Sequence, residues 1–233
     1  MNFLVHHFIL LVIIRILLES FVKFLDQVIV RGKIPYFSAL KKIVFCLWPL
    51  AIFAYFFINS NFKDYGELGW SVLIAVMLIR PLADVFPDLK ILRSLVILRK
   101  EFGILAGVLI VIHSYGYFHA KNQNLFFEIF NPQYWHFGHP FLWGLLGFLI
   151  TLLLLLTSNR FSVRLLKRHW KKVQLLAYPL FFFSAIHIAL VKKGEAMEVL
   201  LPVLAVSVLW AMARFKVKIS VLRNQLNEER RVE

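Results

Sequence analysis

The chain has 233 residues, 60% of them hydrophobic, with 24 Phe and a mean hydropathy of +0.73. A soluble domain carries about 45–50% apolar residues, so the composition excludes a soluble globular domain and reads as a polytopic, all-α membrane protein. The net charge of +14 comes from short basic clusters between apolar runs, which is the pattern of membrane topology and excludes nucleic acid as the partner.

Apolar windows predict helices over 3–25, 43–59, 67–86, 101–119, 139–157, 173–191 and 197–214. Segments of about 17–25 residues are long enough to cross a bilayer core. The first window lacks a basic n-region and a small-residue cleavage site, so no cleaved signal peptide is expected. Within it Arg15, Glu19, Lys23 and Asp26 share one helical face. That stripe fits a spanning helix with its N-terminus outside, or an interfacial helix beside a six-helix core. Cys46 stands alone in an apolar run, so it reads as a small membrane-buried residue with no disulfide or thiolate metal site. The linkers are short and carry breakers such as Gly32, Pro35, Pro87, Asn131-Pro132 and Gly194. No internal repeat is evident. The expected organisation is an N-terminal membrane or interfacial helix over 1–40, a transmembrane domain over 41–215 and a basic tail over 216–233.

The linkers 26–42, 87–100 and 158–172 and the tail 214–233 hold 20 Lys and Arg between them, against 4 in linkers 60–66, 119–138 and 191–196. By the positive-inside rule the basic set is cytoplasmic. This predicts a multi-pass protein of the cell (inner) membrane with a cytoplasmic C-terminus. Segments 101–119 and 173–191 then both run from inside to outside.

His113 follows Arg99 by 14 residues, and His187 follows Lys172 by 15. At about 1.5 Å per residue each imidazole lies roughly 21–23 Å beyond its basic end. Both therefore reach the same depth in the outer leaflet. An ionisable residue inside a span is a functional-site candidate, and paired neutral imidazoles are the usual axial ligands of an electron-transfer haem. A histidine that merely hydrogen-bonds a neighbouring helix is the bland alternative.

Tyr115, Tyr117, His119, Tyr134, Trp135, His136 and His139 gather at the expected outer surface as an aromatic belt, with a docking face for an outer redox partner as the sharper reading. His136 and His139 are a weak metal pair without a third ligand. Arg80 is four residues from Asp84, which predicts an intrahelical pair; its alternative role is to contact a haem propionate, a quinone or a flavin phosphate. The cluster RLLKRHWKK over 164–172, which holds His169, reads as an orientation signal that meets anionic lipid or attracts an anionic donor. No G-x-G-x-x-G and no P-loop occurs, so electrons are expected from a separate donor.

The segment LRKEFGILAGVLIVIHSYGY (98–117) resembles the R-R-x-x-G…L-H-x-x-x-Y helix of ferric reductase-like transmembrane domains. TSNRFSVRLLKRHWKKVQLLAYPLFFFSAIHIAL (157–190) resembles the T-S…L-x-x-R-W…Y…I-H linker and helix of the same family, and the PL of IRPLADVF (79–86) is similar to the branch that forms the haem-binding membrane subunit of a periplasmic methionine sulfoxide reductase system. The resemblance spans roughly 40–215. It implies a six-helix haem-b bundle, here with one extra N-terminal helix. It also implies passage of electrons from a cytoplasmic flavin, flavoprotein or quinone donor to an outer acceptor, as the electron-transfer subunit of an oxidoreductase. The family ligand positions fall on His113 and His187. The family commonly has a further histidine 13 residues before the last, where Gln174 stands here, and Arg99 stands 14 residues before His113. The resemblance therefore implies one haem b, with Arg80, Arg99 and Gln174 as candidate contacts to haem, FMN or quinone. A direct ferric reductase of the same fold, and a non-catalytic transporter or assembly factor, are the rival readings.

Overall fold

The computed structural model describes residues 27–28, 32, 34–58, 61–192 and 196–219. Segment 3–25 and its charged stripe lie outside these residues, as does the tail from 220 onward. The described residues form long helices: α1 Phe37–Phe57, α2 Phe62–Val85, α3 Lys90–Ala120, a short α4 Leu125–Ile129, α5 Pro140–Thr157, α6 Arg160–Leu166, α7 Arg168–Gln174, α8 Ala177–Val191 and α9 Ala196–Arg214. Among the described residues five stretches are long and apolar enough to cross a membrane: Phe37–Phe57, Phe62–Val85, Pro140–Thr157, Arg168–Val191 and Met197–Arg214. The shortest, 18 residues, is about 27 Å long and matches a hydrocarbon core. The chain is a multi-pass membrane protein. The 31-residue α3 is the longest helix and packs against α1, α2 and α5 in the middle of the bundle.

The first three helices begin earlier than the apolar windows. α1 starts at Phe37 where the windows placed 43, and α3 at Lys90 where they placed 101. The difference lies in polar residues that a hydropathy window assigns to a linker but that find partners here. Lys41 reaches Glu101 at 3.4 Å, tying α1 to α3, and Glu101 is only 6% exposed. Backbone hydrogen bonding favours continuing the helix through such residues, because no water replaces a lost partner in lipid.

The closest packing is α2 against α3 and α5 against α8. A β-carbon added at Gly69 would meet Leu109 Cβ at 3.3 Å, and one added at Gly116 would collide with Phe62 Cβ, so small residues let α2 and α3 approach. The bundle interior is a dry layer of Leu73, Met77, Ala106, Leu180, Phe181 and Val206. Trp70 stacks on Phe181 with ring centres 5.1 Å apart and planes at 16°. Buried hydroxyls are satisfied locally, as where Thr151 donates to the Gly147 carbonyl at 2.8 Å. Large apolar side chains such as Phe53, Phe56, Leu149, Phe182 and Leu204 point outward, and Cys46 is likewise exposed on α1. Apolar residues on both the inner and outer faces of a helix mark a bundle solvated by lipid.

The ends of the bundle are fastened by polar contacts. Lys192, after α8, lies 3.1 Å from both Glu67 of α2 and Glu198 of α9. At the opposite end the Ile219 amide donates to the Val85 carbonyl at 2.8 Å, drawing the segment after α9 back to α2. Phe181 is fully buried, whereas its neighbour Phe182 is 42% exposed. Phe181→Ala is expected to cost about 3 kcal/mol through the cavity it leaves, and Phe182→Ala much less. Thermal unfolding of the two variants in detergent measures the contrast.

Candidate functional site

His113 lies on α3 and His187 on α8, each half-buried. Their ring centres are 6.4 Å apart with planes at 74°, so the equal depth expected from the sequence is met by adjacency in space. Each ring is held by a backbone carbonyl on the helix it packs against. His113 Nδ1–H donates to the Phe62 carbonyl at 3.0 Å, and His187 Nδ1–H donates to the Pro140 carbonyl at 2.9 Å. A carbonyl only accepts, so each Nδ1 carries its proton and each Nε2 keeps a free lone pair.

Both carbonyls belong to the first residue of a capped helix. Asn61 caps α2, its side-chain oxygen accepting from the Lys63 amide at 3.1 Å. His139 caps α5, its Nδ1 accepting from the Phe141 amide at 3.2 Å. The chain supplies these two helix starts at the same end of the bundle, where the two histidines arrive. The histidines were legible in the sequence; their acceptors were not, since any residue supplies a carbonyl. The available signal was the pair of capped starts, Asn61-Phe62 and His139-Pro140.

The arrangement suits one metal ion between two imidazoles. A first-row metal–imidazole bond is about 2 Å long, so two rings sharing an ion stand about 6 Å apart, centre to centre. The carbonyl bonds supply the outer-shell support that ligating histidines ordinarily have.

The other sequence candidates lie nearer the opposite end. Arg99 on α3 is half-buried and interacts electrostatically with Tyr178 and Arg80. Gln174 donates to Thr157 Oγ1 at 3.3 Å, and Trp170 donates to the Thr157 carbonyl at 2.9 Å. His169 is exposed. Arg80 pairs with Asp84 at 3.8 Å, as its spacing predicted. Both line a groove of about 490 Å³ with Arg93 and Lys218. Three cations against one carboxylate make this groove attractive to anions. None of these residues reaches the histidine pair; the layer of Phe181, Leu180 and Met77 occupies the bundle interior.

At the histidine end, Tyr115, His119, Trp135 and His136 are exposed. His136 and His139 stack with centres 5.4 Å apart. His139 Nδ1 is engaged by the Phe141 amide, which leaves the pair poorly disposed to chelate. Among the described residues no three His, Cys, Asp or Glu side chains cluster as a metal site.

A family model described as ferric reductase like transmembrane component matches residues 65–185, just over half of the chain. His113 falls inside that stretch and His187 two residues beyond it. The chain is 28% identical over 153 residues to the protein-methionine-sulfoxide reductase heme-binding subunit MsrQ of Pasteurella multocida (strain Pm70), covering 62% of this chain and 73% of the relative. It is 25% identical over 175 residues to the protein of the same name from Agrobacterium fabrum (strain C58 / ATCC 33970), covering 72% and 76%. No solved structure matches.

Burial, and then the nearby His136, hold the His139 imidazole below the ordinary 6.5. Its folded pKa is thus below its unfolded one. The stability it contributes is present above about pH 6.5 and is lost as the pH falls toward the folded value. His139→Ala is expected to cost about 1 kcal/mol at pH 8 through the lost cap. At pH 5 the gap from wild type narrows, because a protonated Nδ1 no longer accepts. Thermal midpoints of both proteins at the two pH values test this.

Proposed function

Because the chain belongs to the ferric reductase like transmembrane component family, we propose that it is a haem-b electron-transfer subunit whose iron is ligated by His113 and His187. The observation that carries the reading is the histidine pair, 6.4 Å apart, each ring oriented by a carbonyl that leaves Nε2 free. The relatives named as heme-binding subunits support the same cofactor. When bound, such a haem supplies one-electron transfer at a potential tuned by its axial ligands and surroundings.

The chain's own residues hold and orient the two imidazoles, keep water from them within an apolar bundle, and set the distance to each face. α3 serves as a sixth crossing beside the five apolar spans. The histidine end is the outer side and the C-terminus is cytoplasmic, as the basic linkers imply. Electrons enter from a cytoplasmic flavin, flavoprotein or quinone and leave to an outer reductase partner. The cationic groove of Arg80, Arg93 and Lys218 suits the anionic groups of a flavin or flavoprotein donor. Among the described residues Gln174 is bonded to Thr157 and no second pair of imidazoles faces across the inner level, which supports a stoichiometry of one haem per chain. Arg99 and Gln174 then meet the donor side rather than the ligated iron.

A reduced-minus-oxidised spectrum with a pyridine haemochrome count tests the proposal. The expected result is one low-spin haem b per chain, with the low-spin signal abolished in His113→Ala and in His187→Ala. Wild-type protein without haem after expression with ample haem supply would overturn it. Two haems per chain would keep the cofactor and refute the single-site stoichiometry.

A further inference from the structure

The two imidazole-accepting carbonyls share a second feature. Phe62 is the first residue of α2 and Gly66 stands four residues on; Pro140 is the first residue of α5 and Gly144 stands four residues on. In a helix the Cα–Cβ bond tilts toward the N-terminus. A side chain at one position therefore leans over the carbonyl four residues earlier. Glycine leaves that carbonyl bare on the side facing its neighbour helix.

The space is used. A β-carbon at Gly66 would lie 2.6 Å from His113 Nδ1 and 2.9 Å from Cε1. One at Gly144 would lie 2.9 Å from His187 Nδ1 and 3.0 Å from Cε1. Neither imidazole can retreat without leaving its carbonyl. Other helix glycines differ: Gly69 faces Leu109 and Ile110, Gly107 faces Leu155, and nothing lies within 4 Å of a β-carbon at Gly103. The same device thus occurs twice, at the two helix starts that receive the two histidines.

We infer that Gly66 and Gly144 are positioning residues for the iron ligands: each bares a helix carbonyl so that an imidazole docks through Nδ1–H and presents Nε2 to the iron. The inference rests on the proposed ligation by His113 and His187 and adds the determinants of its geometry. Neither glycine touches the iron or a substrate.

The experiment compares Gly66→Ala and Gly144→Ala with Gly69→Ala and Gly103→Ala in the full chain, expressed with ample haem. Haem per chain and the low-spin electron paramagnetic resonance signal are the readouts, with thermal midpoint measured alongside. Gly66→Ala and Gly144→Ala are expected to lose haem retention roughly tenfold or more, in line with other outer-shell losses. Any haem retained should show an altered low-spin signal. Gly69→Ala tightens helix packing without touching a histidine, so it is expected to lower the midpoint and leave the signal unchanged. Gly103→Ala is expected to alter neither. Wild-type haem content and signal in Gly66→Ala and Gly144→Ala would overturn the inference while leaving the ligation intact. Haem-free wild-type protein would instead overturn the ligation itself. Should either alanine variant fail to fold, nuclear magnetic resonance of the reduced wild-type protein decides. Both histidine Nδ1–H protons are expected to resist solvent exchange, and rapid exchange of either would overturn the inference.

Discussion

An imidazole N–H placed in lipid must find an acceptor inside the protein, and that requirement organises the histidine end of this bundle. An unmet donor in an apolar medium costs several kcal/mol. Most helical carbonyls are already engaged and covered by the side chains that follow. The carbonyls of Phe62 and Pro140 each accept a first-turn bond of their own helix, but glycine at the fourth position leaves the second lone pair uncovered for an imidazole N–H. His113 can be satisfied only if α3 lies close against α2, and His187 only if α8 lies close against α5. Those are the two most closely packed pairs in the fold. The caps at Asn61 and His139 belong to the same chain of cause, since they fix where each accepting helix begins.

Packing then divides the bundle by depth. At one level two half-buried imidazoles face each other, and the bundle interior beside them is a sealed layer in which Trp70 lies flat on Phe181. Toward the other end polar side chains return: Glu101 under Lys41, Arg99 near Tyr178, Gln174 on Thr157. Large Phe and Leu side chains are left to the lipid-facing surface.

The sequence disclosed the parts of this plan that depend on side-chain identity. Two histidines at equal distance from basic ends were legible because helical rise converts residue number into depth, and the Arg80–Asp84 pair because spacing places both on one face. Helix starts were misjudged where charge and apolarity conflict, as at Lys41 and over 90–100, since a hydropathy window does not register that Lys41 and Glu101 meet across helices. The carbonyl acceptors were invisible for a different reason: every residue has one, and only tertiary contact shows which is used. The glycines were visible as letters, but their role becomes readable only when the neighbouring helix supplies the ring they accommodate.

On the proposed reading, asymmetry between the two ends follows from the same residues. Arg99 stands 14 residues before His113 on one helix, about 21 Å away along its axis. A second macrocycle at that inner level would need imidazoles where Arg99 and Gln174 stand. An electron that enters at the cationic groove of Arg80, Arg93 and Lys218 must therefore cross packed side chains to reach the histidines. The Trp70–Phe181 stack is the aromatic pair within that layer. On that reading the groove end attracts the donor, the middle insulates and the histidine end holds the iron, so one set of helix contacts serves all three roles.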